Sequence, residues 1–528
     1  MEDGNRKLRK VIVGEQDPFR PFQDGKVLML VGATGTGKST LINGFVNYIR
    51  RVPYEDKYRY KLVDDGETRQ SEAHSQTQWI TAYTFQKHDQ LELPYTFTII
   101  DTPGYGDTQG LDRDKQITKQ IKEFFSLKGK QGVDHLDGIG FVVNASLCRL
   151  SPTQKYIFDA ILSIFGKDFK RNIFLMVTFA DAKKPPVLAA IKESGFEYQK
   201  MFKFNNSALF PDDSEDTQGD DDDDDDDDDD SHFNAMFWKM GEKNFGNFFK
   251  EFGQTKSVSL QLTNEVLNKR EQLECLVQGL QVNIQAGLSI VDHLDQEKRV
   301  LKLHEKDMET NKDFTYEIEE TRQRKVDLDD GVYVTNCLKC NFTCHYPCII
   351  PKDEDKSGCA AMVPQSTEEA NCVICTMQCH WTQHVNNMYR FEFYMVEVQK
   401  TSNELKSRYI DAKGKKTQKE RILAGLEKDL EDTNAYVYLN VSNAKNCIER
   451  LDEIALRPNP MTEVGYIDIL IQSEKMEAKT GWTRRVEALS NVRQQAEVLS
   501  TVINSQPSFV TRITGAVVTI WKSLTGGK

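Results

Sequence analysis

The hydrophobic pattern changes character about halfway along the chain. In the first half, short apolar runs alternate with helix-spaced segments. Val27–Val31, Tyr95–Ile100, Ile139–Val143 and Asn172–Val177 have the length and β-branched content of buried strands, and Met201–Ser207 reads as a last strand with its loop. Leu41, Ile42 and Phe45 follow the first strand at helical spacing. Such alternation predicts an α/β domain with a mostly parallel sheet and helices on both faces. A closing helix is expected over Phe233–Phe252, where Phe237, Met240, Phe245, Phe248, Phe249 and Phe252 promise heavy packing. Residues 1–25 read as a polar, irregular lead-in, and Arg51–Glu72 is poorly patterned.

From Val266 the rhythm becomes a 3-4 alternation through Leu273, Val277, Leu280, Ile284, Val291, Leu294 and Leu301. It returns at Leu423, Leu426, Leu430, Val437, Ala444, Cys447, Leu451 and Ile454. Two long helices around an inserted module predict a stalk, either an antiparallel pair or an intermolecular coiled coil. Pro458-Asn459-Pro460 ends the second run, and another helical region is expected over Glu463–Ile503. The resulting division is a lead-in (1–25), an α/β domain (26–252), a first stalk part (253–335), a Cys/His module (336–385), a second stalk part (386–505) and an amphipathic tail (506–528). The tail, with Trp521 beside Lys522, suits an interfacial membrane helix or docking onto the stalk.

Charge changes this picture little. The net charge of −13 is dominated by the eleven aspartates Asp220–Asp230. They lie within an acidic insert, 212–231, expected to stay solvated and disordered because its charges repel. The remainder is near neutral, which argues against a general nucleic-acid binder. No apolar stretch reaches bilayer length, and Met1–Lys7 lacks the apolar core of a signal peptide, so a cytoplasmic protein is expected.

The first strand runs into Gly32-Ala33-Thr34-Gly35-Thr36-Gly37-Lys38-Ser39-Thr40, a G-x-x-x-x-G-K-S phosphate loop between strand and helix. Gly32, Thr34, Gly35, Thr36, Gly37 and Thr40 would cradle phosphates with their backbone, Lys38 would neutralise the β- and γ-phosphates, and Ser39 would ligate Mg²⁺. Thr77 is the candidate switch threonine for Mg²⁺ and the γ-phosphate, with Ser75 and Thr81 near enough to compete. The strand ending at Ile100 delivers Asp101-Thr102-Pro103-Gly104, with Asp101 toward Mg²⁺ and a Gly104 N–H toward the γ-phosphate. Thr178-Phe179-Ala180-Asp181 closes a later strand, where Asp181 can accept hydrogen bonds from guanine or serve as a helix cap, and Asn205 and Asn206 border the base.

Asp101–Gly104 followed by Tyr105-Gly106-Asp107 is very similar to the septin switch. The Ser75-x-Thr77 element, the T-x-x-D motif and Phe204-Asn205-Asn206 resemble the immunity-associated (AIG-type) GTPases. Both belong, with the chloroplast-import Toc receptors, to one branch of the P-loop GTPase superfamily. The resemblance covers residues 26–252, and Phe179 departs from it by replacing a basic residue. It implies GTP with Mg²⁺, slow hydrolysis, and G domains that pair face to face as a homodimer or higher oligomer. Tyr105 stands where faster GTPases use a water-orienting glutamine.

Eight of the eleven cysteines lie between Cys337 and Cys379. Cys337-x2-Cys340-x3-Cys344-His345-x2-Cys348 recurs, after Cys359, as Cys372-x2-Cys375-x3-Cys379-His380-x3-His384, at an offset of 35 residues. Thiolates and imidazoles at these spacings suit tetrahedral zinc, two ions being the simplest count, with sequential and interleaved pairings both open. These features lead to the expectation of a slow, self-association-stimulated GTPase switch. A non-hydrolysing scaffold is the alternative, and a zinc-dependent ubiquitin ligase a more distant one.

Overall fold

The computed structural model describes residues 2–3, 7–13, 25–63, 78–87, 91–93, 95–106, 111–127, 132–181, 183–209, 226–277, 315–348, 350–375, 377–401 and most of 443–457, with isolated positions at 428 and between 464 and 497. They fall into two units, one of Met1–Leu267, Asp452–Met461 and Gly465–Arg493, the other of Asn268–Leu451, Thr462–Val464 and Gln494–Lys528.

The first unit contains, in chain order, β1 (Glu2–Asp3), β2 (Leu8–Val13), β3 (Lys26–Gly32), α1 (Lys38–Ile49), β4 (Ile80–Phe85), β5 (Phe97–Asp101), α2 (Leu111–Ser126), β6 (His135–Leu136), β7 (Gly138–Asn144), α3 (Pro152–Leu162), β8 (Ile173–Thr178), α4 (Val187–Glu193), β9 (Lys200–Lys203), α5 (Asp226–Gly253) and β10 (Val258–Ser259). Eight strands form one sheet in the order β1-β2-β4-β5-β3-β7-β8-β9. β3 is apolar on both faces and lies centrally, parallel to β5 and β7, as a doubly covered strand should. Only β4–β5 and β1–β2 pair antiparallel within this sheet. The expected α/β domain with a mostly parallel sheet is present.

On one face, α1 and α5 close over an aromatic cluster. Phe45 of α1 lies 4.8 Å from Phe245 and 5.4 Å from Phe248, and Phe97 lies 5.0 Å from Phe249. Gly138 is needed beneath it, because a methyl group there would come within 2.8 Å of the Phe174 ring and 2.9 Å of Phe252. On the opposite face Phe141 meets Phe158 of α3 edge-on at 5.2 Å. α3 starts sharply, with Ser151 and Gln154 in a capping box and Pro152 in the first turn.

Two boundaries need correction. The lead-in is not irregular, since Leu8–Val13 forms β2, parallel to β4. Arg9 and Lys10 disguised it, but burial of Lys10 lowers its pKa, the mark of a lysine whose stem lies along the protein. The last helix begins at Asp226, so the acidic insert is helical at its end rather than disordered through residue 231.

In the second unit the expectation of helix over 315–335 and from 386 onward fails next to the cysteine module. β11 (Thr315–Asp327) and β17 (Tyr389–Thr401) pair antiparallel over thirteen consecutive residues. Alternating aromatic and β-branched residues in Tyr389–Val398 carry that preference. The ribbon leads into β12 (Tyr333–Cys337), β13 (Phe342–Cys348), β14 (Met362–Val363), β15 (Asn371–Cys372) and β16 (His384–Asn387). Residues 261–277 are helical, with Val266, Leu273 and Val277 buried, as are Ala444, Cys447, Leu451 and Ile454 in the helical stretch 443–454. Leu280–Leu301, the heptad positions Leu423, Leu426, Leu430 and Val437, and the tail 506–528 lie outside the described residues.

One buried carboxylate ties the base of the sheet. Asp137 is fully buried, accepting from Lys26 Nζ at 2.8 Å, Val27 N at 2.8 Å and Ser257 Oγ at 2.7 Å. Asp137→Ala should destabilise the unit by roughly 3–5 kcal/mol, because it leaves a partly buried ammonium and a buried N–H without their acceptor. Denaturant unfolding of the variant checks this.

Candidate nucleotide-binding site

The loop between β3 and α1 turns through Gly35 and Gly37, whose φ angles of 75° and 78° favour glycine. Gly37 caps α1 without a side-chain hydrogen bond, so the first-turn N–H groups of this twelve-residue helix face outward with the positive end of its dipole. Ser39 and Thr40 sit half-buried in that turn. Lys38 is buried, and its Nζ donates to the carbonyls of Gly32 at 3.1 Å and Ala33 at 2.9 Å. Burial lowers its pKa to about 8, while the nearby Asp101 carboxylate pulls it upward. Asp101 ends β5 at 1% exposure. Thr178 Oγ1 donates within reach of the Thr36 carbonyl at 2.7 Å and the Val143 carbonyl at 3.1 Å, tying the end of β8 to the loop.

The Asp101–Gly104 segment lies directly against this loop. Thr102 Oγ1 donates to the Leu30 carbonyl at 2.7 Å. Tyr105 N donates to Gly32 O at 3.2 Å and Thr34 N to Tyr105 O at 2.9 Å, a short parallel bridge. Gly104 is required by proximity, since a methyl group there would stand 2.6 Å from Thr34 Cα and Oγ1. The Tyr105 side chain turns inward at 1% exposure, its hydroxyl 3.0 Å from Thr118 Oγ1. Burial raises its pKa well above the usual phenol range.

These residues fit a magnesium nucleotide. Thr34 Oγ1 is buried in the loop without a hydrogen-bond partner, and a lysine, a serine and an aspartate meet around backbone donors. Thr77 and Ser75 lie outside the described residues, while the competing Thr81 is buried on β4, paired in register with Asp101.

At the base end the residues adjoin but divide their work. Phe179 has φ 50° and is exposed, its ring 3.4 Å from a methyl group built on Gly37, beside the phosphate loop. Asp181 is exposed and accepts from Lys183 N at 2.8 Å, the local turn that the cap reading anticipates. The Phe204 carbonyl accepts from Ala180 N at 3.0 Å, which places the Asn205–Asn206 loop alongside. Asn205 Oδ1 accepts from Ser207 N at 3.2 Å, and Asn206 packs on Gly44 of α1. Both border a cavity of about 260 Å³ between α1 and α5 that includes Tyr48 and Trp238.

Residues 25–131 match the septin family model, the span that holds both the phosphate loop and the Asp101–Gly104 segment. Residues 25–131 are thus septin-like, with the phosphate loop of a P-loop GTPase. Its family type supports GTP binding. Solved structures similar to the chain include Toc33 from Arabidopsis thaliana with Mg²⁺ and GMPPNP, at 15% identity over 44% of this chain and 88% of that one, TM-score 0.28. A dimerization-deficient mutant of Toc33 matches at 16% identity over 45% and 88%, TM-score 0.27. The signal recognition particle receptor SRb-GTP/SRX complex from Chaetomium thermophilum matches at 17% identity over 34% and 90%, TM-score 0.22. At these scores the likenesses carry no residue-level argument. No curated protein sequence matches the chain.

Outside the septin-like domain, the cysteine–histidine residues gather into three groups: Cys337, Cys340, Cys375 and Cys379; Cys344, Cys372, Cys375 and His384; and His345, Cys348 and Cys359. The arrangement is interleaved. His380 is a correction, because both ring nitrogens are engaged elsewhere, Nδ1 with Thr382 Oγ1 at 2.9 Å and Nε2 with the Glu368 carbonyl at 2.7 Å. Cys359 joins the third group, though it lies outside the repeat and spacing alone gave it no partner.

Lys38→Ala should weaken triphosphate binding roughly 10- to 150-fold by removing a charge-assisted contact, with far-UV circular dichroism unchanged. Asp181→Ala should narrow the preference for guanosine over adenosine nucleotides while leaving adenosine binding unaltered, measured by competition against a fluorescent nucleotide.

Proposed function

We propose that this protein is a GTP-binding switch that hydrolyses GTP slowly and is stimulated by self-association, with the bound state controlling assembly or membrane association. The observation that carries the reading is the seating of Asp101–Tyr105 on the phosphate loop. A γ-phosphate contacting that loop would act directly on the switch backbone, because Gly32 and Thr34 bond to Tyr105.

Lys38 would hold the β- and γ-phosphates, and Ser39, Asp101 and the candidate Thr77 would hold Mg²⁺, which supplies charge neutralisation on the transferring phosphoryl group. Gly104 would offer its N–H to the γ-phosphate. Slow turnover is supported by the inward Tyr105 side chain, which leaves the position after Gly104 without a polar group to orient water. A second chain placed across the nucleotide is a way to supply the missing group, and the family type favours such pairing. Zinc, a helical stalk outside the β11–β17 ribbon and cytoplasmic location belong to the same proposal and are supported by sequence pattern.

The buried Tyr105 also favours a second reading, in which GTP is retained as a structural ligand and the carboxy-terminal half binds partners. Turnover per molecule across a range of protein concentrations distinguishes them, with light scattering in GDP and in a non-hydrolysable GTP analogue. The switch reading expects turnover to rise with concentration and assembly only with the analogue. Flat, negligible turnover with unchanged size supports the scaffold instead.

A further inference from the structure

The overlap among the three cysteine–histidine groups is more informative than their membership. Cys375 belongs to the first and to the second. With Cys337, Cys340 and Cys379 it completes one four-ligand set, and with Cys344, Cys372 and His384 it completes another. Two independent tetrahedral sites need one more ligand than these residues supply, and a single bridging thiolate makes up the difference. We propose that the module binds three zinc ions, two of them joined by the Cys375 thiolate and the third held by His345, Cys348 and Cys359.

The spacings are those of metal ligands rather than disulfides. Two sulfurs on one tetrahedral zinc stand about 3.8 Å apart, the edge set by Zn–S bonds of about 2.3 Å. Cys340 and Cys379 sulfurs are 3.7 Å apart, Cys348 and Cys359 sulfurs 4.0 Å, and all cysteines are free. Cys375 Sγ lies within 4.8 Å of every other ligand atom of both sets. A bridging atom has to occupy that position.

Backbone donors prepare these sulfurs for negative charge. Cys372 Sγ receives Ile374 N and Cys375 N, both at 3.3 Å, Cys375 Sγ receives Cys379 N at 3.3 Å, and Cys337 Sγ receives Cys340 N at 3.4 Å. Such N–H groups stabilise thiolates in a dry interior. Sharing one thiolate also lowers the negative charge that must be buried around two ions, which reduces the desolvation cost.

The histidines supply an independent observation. His384 is 1% exposed, and its Nδ1 faces the His380 carbonyl at 3.1 Å. That contact fixes the proton on Nδ1 and leaves Nε2 as the electron-pair donor, buried without a hydrogen-bond partner. His345 is directed the other way. Its Nδ1 lies 3.2 Å from Cys359 Sγ, and Nε2 faces Glu271 Oε1 at 3.7 Å, the outer carboxylate that commonly orients a metal-bound imidazole.

Strand geometry explains why two adjacent residues serve different ions. Cys344 and His345 are neighbours on β13 at a bulge, where His345 lies opposite Thr335 and Thr343 opposite Asn336, so that Cys344 is the extra residue and is aimed apart from the regular ladder. Cys344 therefore enters the bridged pair and His345 the third site. There, Thr335 Oγ1 lies 3.3 Å from Cys348 Sγ and 3.2 Å from Cys359 Sγ, on the thiolate side of the site. Among the described residues this third group has three ligands, and the buried Cys275 thiol beside the His345 ring is available for the fourth position.

The test is metal analysis of the full-length protein together with ¹¹³Cd NMR after exchange of zinc for ¹¹³Cd. Three equivalents per chain are expected, giving three cadmium resonances, two of which split each other through the shared sulfur. Cys375→Ser should lose two equivalents, whereas Cys340→Ser loses no more than one, and Cys348→Ser with Cys359→Ser loses only the unsplit resonance. Two equivalents or fewer in the wild type, three resonances without mutual splitting, or bound iron in place of zinc would overturn the proposal. The wild-type spectrum decides the matter even if the variants fail to fold.

Discussion

Burying a lysine is costly, and strand β3 has a partly buried one at its start and a buried one beyond its end. At its start Lys26 meets Asp137, whose carboxylate is also satisfied by a backbone N–H and a serine hydroxyl. This assembly is closed, with donors and acceptor matched inside the protein, so it acts as a fixed anchor. Beyond its other end, Lys38 is held by two carbonyls while Asp101 stands close enough to counter part of the desolvation. The depressed pKa shows that this second site leaves its cation less well compensated than water would. A group bearing several negative charges would relieve that deficit. The two ends of one strand thus divide stability from ligand binding, and the sheet order keeps them apart.

The septin-like domain folds around apolar surface, whereas the cysteine module has a different basis. Its interior is made largely of sulfur, imidazole and small residues such as Ala360, Ala361 and Ala370, with short strands between them. Such a lining gains little from hydrophobic burial, and the proposed ions would substitute for a conventional core. Interleaving then has a structural meaning. Cysteines and histidines from β12, β13, β15 and β16 would share the proposed ions, so no hairpin could then detach without breaking a neighbour's coordination.

The phosphate loop and the strands of the sheet could be read directly because their determinants are local: a fixed run of glycines, a lysine and an apolar stretch of the right length. The placement of Asp101–Gly104 at the end of a buried strand was legible for the same reason. β2 was not, because Arg9 and Lys10 interrupt an otherwise apolar run and its strand character comes from pairing with β4. The ribbon of β11 and β17 was hidden by charge. Arg324 and Glu392 face each other across it at 3.1 Å, a pairing between residues far apart in sequence that no single-strand pattern displays. The repeat located the region where the cysteine–histidine groups gather but misassigned His380 and left out Cys359. Sequence spacing records which residues are adjacent, and the folded strand, with its bulge at Cys344, decides which group each one joins.

The ribbon has a mechanical implication. Thirteen paired residues extend roughly 40 Å at the rise of a β-strand. Their register is continuous, so the two strands cannot slide independently, and a rotation imposed where residues 315 and 401 meet must reach residues 327 and 389 as torsion. A two-stranded ribbon is soft to bending but has a preferred right-handed twist. The cysteine module is therefore carried on a spring whose resting angle is set by backbone chirality, and whose stiffness depends on cross-strand contacts such as Lys325 over the Tyr389 ring at 4.3 Å.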